Sequence, residues 1–295
     1  MNPAVPGISV VVAARREDGD LRTCLSALLA QRDDRTEVVI ASAGAGHASF
    51  ESPWARWLEA PADTPVPRLW GMALAQAQGA VVAFTTAQFR PSPDWLAVIR
   101  DCHARLPAAA IGGSIDPPSS GRPFDWAVYL LRYSSYLAYD RESTVPDLAG
   151  DNASYKRGAL RAIGADAAEE FWEQEAHRKL LARGESLVFV PGMRVQQVAS
   201  FPVAVFLRQR LRHGRRFGAE RARRHGVLWR AAALCASPLI PVVLVAKVVL
   251  RVLRARRHAA RLARSLPALV ACAVAWAAGE ARGYWSANPK ADGRP

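Results

Sequence analysis

A chain of 295 residues that is 51% apolar and 22% charged can bury a sizeable core, which excludes a disordered or collagen-like protein. Its four cysteines, Cys24, Cys102, Cys235 and Cys272, lie far apart with no CxxC and no Cys/His cluster, which excludes a zinc module and leaves only oxygen ligands for any metal. The net charge of +13 is unevenly placed: Arg208 to Arg264 holds sixteen Lys and Arg against one acid, Glu220, and the rest of the chain is near neutral.

The first residues, MNPAVPGISVVVAARRE, have no basic n-region, so no cleaved signal peptide is expected and the protein is placed on the cytoplasmic side. Ile8 to Ala14 is β-branched and bounded by Pro6-Gly7 and Arg15-Arg16, a first strand. Leu21, Cys24, Leu25, Leu28 and Leu29 then fall at helical spacing after an Asp20 cap. Glu37 to Ala41 gives a second strand, followed by the glycine-bearing loop Ser42 to His47. Strand, helix and strand in this span make a βαβ unit with a parallel pair. Arg68 to Gln78 reads as a helix feeding a buried strand over Ala80 to Phe84, and Thr85 to Arg90 sits at that strand's carboxyl end. Ligands of open α/β sheets bind at such ends, because helices cover the faces and only the loops leave a crevice.

The segments ISVVVAARR, CLSALLAQ, EVVIASAG, GAVVAFTTAQFRPSPDWL, DNASYKRGAL and FWEQEAHRKLLARGESLVFVPGMRV follow in order and spacing the pattern of family 2 glycosyltransferases. The resemblance covers roughly residues 7 to 200. It implies a GT-A fold, a mixed, mostly parallel sheet flanked by helices. It further implies a nucleotide-sugar donor over the first half of the sheet, an acceptor over the second, and inverting displacement at the anomeric carbon.

This sequence departs from the family where acids are usual. Ser42 and Ala43 stand where an Asp contacts the nucleotide base, and Thr86-Ala87-Gln88 stands for the Asp-x-Asp motif. A hard divalent cation prefers carboxylate oxygens, and Thr86 and Gln88 bring neutral ones, so the residues argue against the usual Mg²⁺ or Mn²⁺ cofactor. Arginine is the physical substitute for offsetting a departing diphosphate. The donor side is therefore assigned to Ala14, Arg15, Ser42, Thr86 and Gln88, with Arg16 and Arg90 as further cations. Gln209 and Arg212 join them because Gln209-Arg210-Leu211-Arg212-His213 is similar to the family's Gln-x-x-Arg-Trp element.

By register with the family's Glu-Asp motif, Glu173 takes the place of the general base. His177, four residues on, shares its helix face and could orient or charge-pair it. Asp151 and Asn152 match the turn that lines the acceptor side. Without that register, the Glu173 helix reads as a charged surface helix, and Asp151 and Asn152 as helix caps.

Ala231 to Ala246 and Ser265 to Gly279 are uncharged runs of sixteen and fifteen residues, shorter than the roughly twenty a spanning helix needs. In a transmembrane hairpin, the loop Arg251 to Arg264, with six Arg, would lie opposite an equally basic Arg208 to Arg224. The positive-inside bias disfavours that, so a monotopic arrangement on an anionic cytoplasmic leaflet is expected. The division expected is a catalytic domain over 1–200, a basic amphipathic linker helix over 201–226, two apolar membrane-associated helices over 227–285, and a disordered tail over 286–295. The expected partners are a nucleotide-sugar donor, a lipid-linked or glycan acceptor and an anionic membrane. Nucleic acid is not expected, because the arginines interleave with Ala, Leu and Val rather than aromatics. The competing expectation is a catalytically silent relative that serves as a scaffold.

Overall fold

Short apolar runs rich in Val and Ile set the strands of a sheet covered on both faces. The computed structural model describes residues 7–15, 21–44 and 54–286. Arg16, the Asp20 cap, the end of the loop running to His47 and the tail from 287 lie outside the described residues. The chain divides into two units, Met1–Ser119 with Tyr139–Ala199, and Ser120–Ala138 with Ser200–Pro295.

The first unit opens with β1 (Ile8–Arg15), α1 (Leu21–Leu29), β2 (Thr36–Ala43), β3 (Ala55–Ala60), α2 (Val66–Gln76), β4 (Val81–Thr86), β5 (Phe89–Pro91), α3 (Trp95–Arg105) and β6 (Ala110–Asp116). The chain then leaves for α4 (Pro123–Tyr133), which belongs to the second unit. It returns through β7 (Ser143–Thr144), β8 (Ala153–Lys156), α5 (Arg157–Ala162), α6 (Glu173–Ala182) and β9 (Leu187–Gln197). The sheet order is β3-β2-β1-β4-β8-β6-β9-β5, with β7 against β9. Pairing is parallel from β3 through β4 and between β6 and β9, and antiparallel where β8 sits between β4 and β6. The sheet is therefore mixed, with its parallel pairing concentrated in the first half. The carboxyl ends of β1, β2 and β4 form one rim.

Several boundaries differ from expectation for local reasons. Helix α2 begins at Val66 rather than Arg68, since Pro67 near its start fixes a helical φ without needing an N–H partner. Strand β3, which the sequence did not announce, is a half-exposed edge strand without a continuous apolar run. Leu29 ends α1 exposed rather than buried. The domain expected over 1–200 is interrupted, because Phe124 and Val128 of α4 pack in a cluster with Phe201, Phe206 and Cys272 of the second unit.

That unit continues with α7 (Val203–Arg223), α8 (Val227–Ala236), a 3-10 turn at Ser237–Leu239, α9 (Ile240–Ala255) and α10 (Ala259–Ser286). Asp125 is fully buried and accepts from Ser120 Oγ at 2.6 Å, Ser200 Oγ at 2.8 Å and Phe201 N at 3.0 Å. Helices α7 and α10 touch backbone to backbone through two Gly-x-x-x-Gly pairs. An ideal Cβ on Gly214 would lie 2.3 Å from Trp276 O, on Gly218 2.2 Å from Glu280 O, on Gly279 2.1 Å from Leu211 O and on Gly283 2.3 Å from Arg215 O. Leu211 faces Gly279 and Arg215 faces Gly283, so the two helices run in the same direction. Beside this seam, Glu280 is buried and accepts from Trp276 Nε1 at 2.8 Å, from Tyr284 OH and from Arg221 Nη1 at 3.3 Å.

Candidate functional site

The register of the three parallel strands lines up the expected donor residues. Ala13 pairs with Thr86 and Ala14 with Ser42, and Ala87 N donates to Ala13 O at 2.9 Å. Ala14 and Ser42 are thus paired at the carboxyl rim, Thr86 lies one residue back beside Ala13, and Arg15 ends β1, half-exposed. The Ser42 hydroxyl is buried and has no hydrogen-bond partner among the described residues. Gln88, also buried, donates its backbone N–H to Thr86 Oγ1 at 3.4 Å, and its carbonyl accepts from Val198 N at 2.9 Å and Ala199 N at 3.3 Å. The turn after β4 is thereby tied to the end of β9. Arg90, one strand further, is turned to Gln196 Oε1 on β9.

Aromatic packing delivers the candidate base to this rim. Phe171 stacks on Phe84 of β4 with centroids 4.3 Å apart, and its N–H donates to Pro67 O at 2.8 Å. Trp70 meets both rings edge-on and donates Nε1–H to Thr85 O at 3.0 Å. Gly71 lets the arriving loop lie on α2, since an ideal Cβ there would be 2.4 Å from Glu169 O. Two residues later α6 starts, with Glu173 as its first residue. An acid at this position is favoured by the exposed N–H groups of the first turn.

The Glu173 side chain is half-buried and lies against the 3-10 turn Gly150–Asn152. An ideal Cβ on Gly150 would be 3.1 Å from its Cγ and Cδ, so only glycine leaves that space open. Phe84 of β4 pairs with Ala153, and the Gly150–Asn152 turn immediately precedes that pair. Desolvation pushes the Glu173 carboxyl above its ordinary value. Its own backbone N–H opposes this, the Asp151 charge adds to it, His177 opposes it, and Asp147 adds slightly. Two acids crowded at one site push one of them towards the protonated form.

His177 is buried on the next turn of α6, and both its ring nitrogens are engaged. Nδ1 lies 2.6 Å from Asp147 Oδ1 and Nε2 lies 2.7 Å from the Tyr155 hydroxyl. Asp147 and Tyr155 between them fix the orientation of the ring. The acid expected to be its partner, Glu173, receives neither bond. Sequence reading missed Asp147 and Tyr155, whose separations from His177 of 30 and 22 residues match no motif.

The acceptor contact expected of Asn152 is corrected. The side chain is fully buried, its Oδ1 accepts from Trp95 Nε1 at 2.8 Å, and its Nδ2 donates to Ser114 O at 2.9 Å and Met193 O at 2.8 Å. Every strong bond of the amide is used inside the sheet, so it clamps the turn that carries Gly150 and Asp151. Asp151 is buried beside Glu173 and is the acid of that turn.

Gln209 and Arg212 lie on α7 of the second unit, half-buried and exposed respectively. Arg210 turns inward instead, with its guanidinium 4.3 Å from the Trp276 ring centroid, and burial lowers its pKa to about 10. Among the described residues no three His, Cys, Asp or Glu come together to hold a metal ion. Thr86 and Gln88, in place of the usual acids, present neutral oxygens.

No protein-family model matches the sequence, and no curated protein matches it. Solved structures do. A mannosyltransferase from Pyrobaculum calidifontis, PcManGT, determined with GDP-Man and Mn²⁺, is similar at 18% identity and a TM-score of 0.56, covering 93% of this chain and 87% of that one. GalNAc-T7, determined with UDP, GalNAc and Mn²⁺, is similar at 13% identity and a TM-score of 0.50, covering 67% of this chain. This chain spans 45% of the GalNAc-T7 chain. The sheet unit has the GT-A fold of these neighbours.

Proposed function

We propose that the chain is an inverting glycosyltransferase of the family 2 type. It would move a sugar from a nucleoside-diphosphate donor to a hydroxyl of a lipid-linked glycan or polyprenyl acceptor at the cytoplasmic membrane face. The observation that supports this reading is the Glu173 carboxyl lying against the Gly150–Asn152 turn beside Asp151, with Ala14, Ser42 and Thr86 at the carboxyl ends of the parallel strands.

In the proposed step the ionised Glu173 takes the acceptor's hydroxyl proton. The acceptor oxygen forms a bond to the anomeric carbon from the face opposite the leaving group. The anomeric C–O bond to the diphosphate breaks, its electron pair leaves on the nucleoside diphosphate, and configuration inverts. Ser42, Thr86 and Gln88 offer hydroxyl and amide groups to the donor, and Arg15 offers a charge able to bond two phosphate oxygens. Asp151 raises the basicity of Glu173, and Asp147 and Tyr155 fix the ring of His177 behind it.

The test is turnover of a panel of uridine and guanosine diphosphate sugars with a polyprenyl phosphate acceptor in vesicles, for the parent and Glu173→Gln. Loss of transfer with retained donor binding supports the reading, and absence of donor binding with either Mg²⁺ or Mn²⁺ present sinks it. The neutral residues at Ser42, Thr86 and Gln88 favour a second reading, a silent scaffold, which that latter result would establish.

A further inference from the structure

We propose that α10 does not cross a bilayer, and that the rod formed by α8 and α9 lies flat along an anionic membrane surface. The inference rests on the membrane placement proposed above and specifies which helix meets lipid.

By length and composition alone, Val227–Ala255 and Ala259–Ser286 are both apolar enough to span. Packing within the second unit separates them. Helix α7 runs alongside α10 in backbone contact from Leu211 to Ala219, and it carries Arg212, Arg215 and Arg216 exposed at that level. If α10 crossed a hydrocarbon core, the exposed charges of Arg212 and Arg215 would be drawn towards it at a large desolvation cost. The inner face of α10 also buries the Glu280 carboxylate against Arg221. At the other end, the loop joining the rod to α10 is held by α4. His258 packs 5.1 Å from the Trp126 ring and Arg261 lies 5.1 Å over it. A helix sheathed by α7 and α4 on its polar flanks is an internal strut, and its exposed large apolar residues are Leu266, Val270, Val274 and, at its end, Trp285.

The rod has the opposite character. Only 11% of its most apolar window is buried. Its exposed residues Leu228, Cys235, Leu239, Val242, Leu250 and Leu253 fall within about 60° of one line on a helix of 3.6 residues per turn. Lys247, Arg251 and Arg254 border that stripe on one side. An apolar face rimmed by cations fits an anionic bilayer surface, with the stripe among acyl chains and the cations reaching to head groups. The rod itself contains no acid to oppose this border.

The experiment is flotation of the full-length protein with vesicles of phosphatidylcholine alone or with phosphatidylglycerol added. A fluorophore on Cys235, the one exposed cysteine among the four, reports depth. Expected are binding that requires phosphatidylglycerol, quenching of the probe by nitroxide lipids of the outer leaflet, and release by alkaline carbonate. Leu239→Asp with Val242→Asp should abolish flotation, and Lys247, Arg251 and Arg254→Gln together should weaken it roughly a hundredfold. Should the aspartate variant misfold, the glutamine variant decides. Retention after carbonate, with a probe at Ala278→Cys reached only from the vesicle lumen, overturns the proposal, as does binding indifferent to both variants. Flotation needs no turnover, so a chain that floats but transfers no sugar sinks only the transferase reading, and an active chain that does not float sinks only this one.

Discussion

Gly150 and Glu173 are so close that a Cβ on the glycine would lie 3.1 Å from the glutamate's Cγ and Cδ. Gly150→Ala should therefore leave the fold intact, because the contact is tight by only a few tenths of an ångström and the carboxylate arm can yield. Shifting the base should lower kcat about tenfold, since even an ångström of misplacement can cost two orders of magnitude. Donor affinity should be unchanged, and steady-state kinetics with a donor titration checks both.

Glu173→Gln removes the proposed base, and turnover should fall by about two to four orders of magnitude. The same variant should be more stable than the parent at neutral pH. Folding raises the carboxyl's pKa, so the folded chain holds this proton more tightly than the unfolded one. The group's contribution to stability is then greatest below the unfolded value, about 4.3, and declines as pH rises to the folded value. Glutamine lacks that decline. Thermal melts should show a gain at pH 7 that vanishes near pH 4.

Asp151→Asn removes a charge that raises the Glu173 pKa. The acid limb of the pH–rate profile should move to lower pH while the maximum rate falls, because a less basic carboxylate takes the proton less readily. An unmoved limb would mean that another group controls it.

Asn152→Ala should act on stability. It leaves the Trp95 indole N–H and the Ser114 and Met193 carbonyls without their buried partner, at about 1 to 3 kcal/mol for each group left unsatisfied. A large drop in melting temperature, with acceptor KM unchanged in whatever remains folded, is the expected outcome.

Tyr155→Phe deletes one of the two bonds that fix the His177 ring, and Asp147→Asn weakens the other. Each should lower kcat several-fold and leave donor KM unchanged. Combined, their effects should be less than additive, since both work through one ring.

The first half of the sheet was legible because β-branched runs such as Ile8 to Ala14 and Val81 to Phe84 read as buried strands whatever surrounds them. The rim followed from that, with Ala14 paired to Ser42 and Ala13 to Thr86. The role of Asn152 was not legible, because an Asn before a strand looks the same whether it faces a ligand or is clamped by three distant groups. Gly150 escaped notice since its function is the absence of atoms, which only a neighbour's position reveals. The spacing of Gly214 with Gly218 and of Gly279 with Gly283 was present as a signal. It became meaningful only once α7 and α10 were seen to face each other.

Two helices pointing the same way need a return path between them, and here the α8–α9 rod supplies it. Helix α7 leaves the ribosome before its glycine seam has anything to close against, and the rod emerges next with its oily side bare. The finished chain buries Val248 and Val252 on the rod's other side and leaves this one exposed, so a membrane is its shelter from the start. A chain stopped after Ala255 should accordingly accumulate on lipid or in aggregates, and delivery to the bilayer would be completed during translation, ahead of the last folding step.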